Sequence, residues 1–187
     1  QSNGQATVLA ANYGNLTFSN FSKTLASSGT IAVAGTFTPG TGIGHTITGS
    51  TINFNGAGTQ TIPGFTYNNL TSSGGAAART LDPVNTIFIA GVFTPGTNVY
   101  TITGSTIEFN GTSAQALPSN FTTYNNLTLN NAAGTSGFAG LTVNGTIEVK
   151  AGTFTSSSTY NAVQIDSGAT LAATAGSTIN VSGNWIN

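Results

Sequence analysis

Glu108 and Glu148 are the two residues whose type and spacing come nearest to a reaction. Each follows a leading isoleucine, in STIEF and in TIEV. If each short repeat of the chain is one coil of stacked strands, both glutamates leave the same outward column two coils apart. Roughly 10 Å would then separate them, close to the separation of an inverting glycosidase pair. The competing reading is two solvated charges on a face otherwise made of Thr, Asn and Ala, and no Arg or Trp accompanies them in the alignment to hold a sugar ring. His45 is the single histidine, and its counterpart in the repeated segment is Tyr100, which fits a surface aromatic better than a base. No Ser/His/Asp set can be assembled. Asp82 and Asp166 fall about four coils apart and the glycine-and-aspartate calcium repeat is missing, so no metal site, cofactor or catalytic residue is expected.

The elements that would carry these residues are repeats. YTITGSTIEFNG (100–111) restates HTITGSTINFNG (45–56); TIFIAGVFTPGT (86–97) restates TIAVAGTFTPGT (30–41); TYNNLT occurs at 66–71 and 123–128, with NYGNLT at 12–17. The long period is about 56 residues, in the range of stacked repeat architectures. Residues 1–187 are therefore expected to form one domain of about three such super-repeats. A shorter period of about 19 residues lies inside it. It is marked by Leu16, Ile31, Ile52, Leu70, Ile87, Ile107, Leu127, Ile147 and Leu171. These are expected to form one inward column. A unit of that size cannot bury its own apolar face, but stacked neighbours can.

Within each unit apolar residues alternate with Thr and Asn at the period of a strand. Gly, Pro-Gly and Asn-Gly steps break the unit into three strands. The sequence therefore predicts an all-β fold: a three-sided parallel β-solenoid of about nine coils, a rod on the order of 40 Å long. The duplicated twelve residues are expected to be equivalent corners of that rod.

Composition excludes several partners. Only 4% of the residues are charged and the formal net charge is -1, against roughly 25% charged residues in an ordinary soluble domain. That leaves no electrostatic footprint for nucleic acid or an anionic membrane. No apolar run approaches a membrane span. Gln at position 1 suggests a mature chain already cut from a signal sequence, which together with the composition points to a secreted or cell-surface protein.

The combination FTPGT, STIEFNGTSAQALP, TYNNLTLNNAAG, LTVNGTIEV and SGNWIN resembles the tandem repeats of very large secreted surface proteins and adhesins of the Bacteroidota type. The resemblance covers most of the chain from Asn12 onward and implies a stalk or adhesive rod without catalytic residues. Where such proteins continue with another FTPG unit, this sequence ends on SGNWIN. The end strands, carrying Tyr13, Leu16 and Phe18 on one side and Ile179, Val181 and Trp185 on the other, are expected to pair with a second copy of the chain or with continuing repeats.

The faces offer two alternatives. Outward pairs on the third strand read Thr46/Thr48, Thr66/Asn68, Thr80/Asp82, Thr101/Thr103, Thr123/Asn125 and Thr142/Asn144. Thr-x-Thr rows resemble those of ice-binding proteins, although Thr also simply suits exposed strand positions. Surface polysaccharide held by exposed Tyr or Phe88 is the other alternative. Asn-x-Ser/Thr sequons begin at Asn15, Asn20, Asn69, Asn110, Asn120, Asn126, Asn144 and Asn180, and glycans there would solubilise an uncharged rod.

Overall fold

The computed structural model describes residues 6–41 and 44–187. The chain is a β-solenoid of about nine turns, built from short strands that all pair in parallel. Each turn runs up three faces and returns to the first, so successive passes over one face point the same way. One face carries a seven-stranded sheet: Thr66–Tyr67, Ile87–Ile89, Thr106–Phe109, Asn126–Asn130, Thr146–Ala151, Ala162–Ile165 and Trp185–Ile186. A second carries a five-stranded sheet of Asn12–Tyr13, Ile31–Val33, Thr51–Phe54, Asn69–Ser72 and Phe93–Thr94. The third includes Gln60–Ile62, Ala78–Leu81 and Val99–Thr101.

Inward residues stack in register along the rod. Ile107, Leu127, Ile147 and Val163 are paired one above the next and are fully buried. Ile52 and Leu70 pair likewise on the second face, and Ile62 and Leu81 on the third. Aromatic rings fill the interior near the first turns, where Phe37 meets Phe18 and Phe65 edge to face at 5.0 and 5.3 Å.

The leading aliphatics do not form one column. Ile31, Ile52 and Leu70 belong to the five-stranded sheet and lead to Phe93, whereas Ile87, Ile107, Leu127 and Ile147 belong to the seven-stranded sheet. Leu16 pairs with Phe37 and Leu171 with Phe154. The twelve-residue copies divide in the same way: Thr51–Phe54 of the first lies on the five-stranded face and Thr106–Phe109 of the second on the seven-stranded one. The reason is a mismatch of periods. Paired residues of adjacent coils are separated by as few as 16 positions, from Glu148 to Gln164, and by as many as 23, from Asn69 to Val92. The step from Ile52 to Ile107 therefore falls short of three coils, and the second copy lies one face behind the first. Repetition here preserves corners and strand pattern but does not stack the two twelve-residue copies on one face.

Candidate functional surfaces

Glu108 and Glu148 do share an outward column, with Thr128 between them in the paired register. The column continues from Phe88 below to Gln164 and Ile186 above. Two residues further along the strand, Lys150 reaches back between the glutamates, 3.6 Å from Glu108 Oε2 and 3.5 Å from Glu148 Oε2. Burial opposes the charge on Lys150, but the two carboxylates outweigh it and raise its pKa. Asn130 Nδ2 donates to Glu108 Oε1 at 2.9 Å, Thr128 Oγ1 to Glu148 Oε2 at 3.3 Å, and Gln164 Nε2 to both Glu148 Oε1 and Asp166 Oδ1 at 3.0 Å. Four of the seven charged side chains thus lock adjacent coils of one face together. Lys150 carried no repeat signal, because its partners are set by strand register rather than by sequence neighbourhood.

The other two cations lie inside. Lys23 is 1% exposed, and its Nζ donates to Phe21 O at 2.7 Å and Ser19 Oγ at 2.9 Å. Arg79 is fully buried. Its Nη2 donates to Phe54 O and Gly56 O, Nη1 to Gly58 O and Ala78 O, and Nε to Ser72 Oγ, all between 2.9 and 3.2 Å. Desolvation lowers its pKa. Arg79 pairs with Gln60 of the preceding coil, and Gln60 does the same work there: Nε2 donates to Val33 O and Gly35 O while Oε1 accepts from Gly56 N–H. Gln115 repeats the pattern with Ile89 O, Gly91 O and Gly111 N–H, and Asn98 donates to Gly75 O and Ala77 O. These side chains give donors to carbonyls at the bends, among them Val33 O, Phe54 O and Ile89 O, which also accept the backbone N–H of Asn55, Ser73 and Asn110. Strand alternation places Gln60, Arg79 and Gln115 on the inward side of Ile62, Leu81 and Leu117, two residues on; their polarity alone would have put them outside.

The threonine rows are partly assembled. Thr61, Thr80 and Thr101 are direct neighbours on the third face, and Thr123 pairs with Thr142 on a two-stranded continuation, with Asn125 and Asn144 two residues on. Thr46 bridges Thr24 on a different segment, with Thr48 exposed beyond it. Thr66, with Asn68, stands apart from this row, because Thr66 pairs with Phe88 in the seven-stranded sheet. Thr103 follows Thr101 by two residues and is exposed.

Of the end residues, Leu16 and Phe18 are core, and Tyr13 is half-buried with its hydroxyl donating to Leu9 O at 3.0 Å. Ile179 and Val181 are half-buried against the core, whereas Trp185 is 52% exposed. His45 accepts the Lys23 N–H at Nδ1 and lies 5.5 Å from the rings of Phe18 and Phe65. Asp82 accepts from Gly64, Val84 and Asn85 N–H and from Asn85 Nδ2. Among the described residues no three of His, Cys, Asp and Glu are grouped so as to hold a metal ion.

The chain matches no known family, no curated protein and no solved structure.

Proposed function

We propose that the chain is a non-enzymatic structural and adhesive rod of an extracellular surface protein, of the kind its repeats resemble among the Bacteroidota. It would grow by adding further coils, from the same polypeptide or from another copy, to its open strand edge. One observation carries this reading. The inward column of the seven-stranded sheet is buried coil after coil at Ile107, Leu127, Ile147 and Val163 and runs on to Trp185 by the same parallel pairing, so every coil offers the next one the same ladder and apolar column. A coil edge of this kind is a template for strand addition. Against an enzyme, the sharpest pair, Glu108 and Glu148, is committed to Lys150 and to side-chain donors on the neighbouring coils. Light scattering across a concentration series and negative-stain microscopy test the proposal. Elongated assemblies that Trp185→Arg abolishes are expected; a monodisperse monomer at high concentration with both ends covered overturns it.

The direct register of Thr61, Thr80 and Thr101 favours ice binding as a second reading. Its weakness is the adjacent column, where Pro63, Asp82 and Thr103 replace the uniform second threonine row. Thermal hysteresis abolished by Thr80→Tyr would establish it in place of the assembly reading.

A further inference from the structure

The corner after the third face varies in length. Between Ile62 and Phe65 it is only Pro63 and Gly64, while one coil later Asp82 to Thr86 separate Leu81 from Ile87. The short corner is recessed beside the longer one, opening a cleft of about 1020 Å³. Pro39, Phe65 and Phe88 supply its apolar wall, and Val84, 85% exposed, stands at the rim with Asn85 and Thr86.

We infer that this cleft binds an uncharged saccharide, a role independent of the assembly of the rod. Three features decide the ligand class. The described lining holds no Lys or Arg, its histidine, His45, is held as an acceptor of the Lys23 N–H at Nδ1, and its carboxylate, Asp82, is bonded by four donors, so no fixed counter-charge is offered to an anionic group. The backbone donors of Gly64, Val84, Asn85 and Phe88 are all used within the protein, so the corner from Asp82 to Phe88 offers a peptide no ladder to join. What is left, a phenyl ring among hydroxyl and amide groups, matches the alternating C–H faces and hydroxyls of a sugar. The arrangement also recurs. Tyr100, Ile102, Phe121 and Thr123 occupy the sequence positions of His45, Ile47, Phe65 and Thr66 in the next super-repeat, and they line a second hollow of about 180 Å³. One shallow site per super-repeat would give a rod weak, repeated attachment points.

The test is a glycan array of neutral and acidic oligosaccharides probed with the full chain carrying Trp185→Arg, so that binding is read apart from assembly. Hits are titrated by calorimetry. Neutral oligosaccharides are expected to bind, and Phe88→Leu, which keeps apolar bulk but removes the ring, is expected to weaken them about tenfold. Val84→Glu, at an exposed position that leaves the core intact, is expected to weaken them at least as much, with unchanged melting temperature. Retention of no neutral glycan, binding of only acidic glycans or of apolar peptides, or unaltered affinity in both variants overturns the inference.

Discussion

The side-chain oxygen of Asn69 accepts the backbone N–H of Val92 in the next coil at 3.0 Å, and a methyl group added to Gly91 would strike that same oxygen. Asn69 also donates from Nδ2 to Thr51 Oγ1 in the coil below at 3.3 Å, so one residue ties three coils. Asn15 with Gly35 and Thr36, and Asn126 with Gly145 and Thr146, repeat the clamp. It explains why the NLT segment recurs with a glycine one coil later. Gly91→Ala should cost about 1–3 kcal/mol through overpacking. Asn69→Ala should cost less, about 0.5–1.5 kcal/mol, because Val92 is exposed and water can take over its N–H. Chemical denaturation of each variant checks both. Because these asparagines are committed, peptide mapping of glycosylated material should find Asn15, Asn69 and Asn126 unmodified.

Arg79 is a buried cation surrounded by neutral acceptors, with no carboxylate among its hydrogen-bond partners. Arg79→Met should destabilise the rod by about 3 kcal/mol or more, because several buried carbonyls lose their donor together. Arg79→Gln should lose much less. It retains an amide able to reach Phe54 O and Gly56 O, as Gln60 and Gln115 do for their own coils, and it removes a buried charge. The expected order of melting temperatures is wild type and Gln close together, Met well below. A Gln variant as unstable as Met would contradict the role given to the interior donors.

Asp82 sets a pH dependence. Burial tends to raise its pKa, but hydrogen bonds from Asn85, Gly64 and Val84 outweigh burial and lower it from 3.8 to about 2. A carboxyl depressed in the folded state stabilises it above the ordinary value, and that contribution is lost as pH falls from about 4 toward 2. Screened by solvent at this open corner, the loss amounts to about 1 kcal/mol. Unfolding free energies measured from pH 6 to pH 2 should decline more steeply for the wild type than for Asp82→Asn, whose corner is weaker at pH 6 but insensitive to this titration.

Trypsin should read global rather than local stability. Lys23 and Arg79 are 1% and 0% exposed, and Lys150, though skipped at a bulge in the pairing with Asn126–Asn130, lies within the strand Thr146–Ala151 and is held by Glu108 and Glu148. Proteases need an opened segment. Cleavage at all three sites should therefore follow the unfolding midpoint in a denaturant series. Early release of a fragment ending at Lys150 would show that the seven-stranded sheet opens on its own.

Much of this architecture is written in the sequence. A period of two in TIEF and TINF dictates strands with Ile and Phe inward, because neighbouring side chains of a strand face opposite ways. A short repeated unit that cannot bury its own apolar face dictates stacking, and a parallel solenoid follows. The outward pairing of Glu108 and Glu148 was legible for the same reason. Which face each copy occupies was not, because it depends on corner lengths accumulated over several coils, and a corner of Pro63 and Gly64 alone beside the longer one from Asp82 to Thr86 shifts everything that follows. Alternation puts Arg79, Gln60 and Gln115 on the inward side of Leu81, Ile62 and Leu117, but it could not reveal where the carbonyls they bond would stand, because those belong to the bends of neighbouring coils. The tertiary structure alone decided those positions, along with the cleft beside Phe88 and the reach of Lys150 between its glutamates, because each is a relation between neighbouring coils rather than between sequence neighbours.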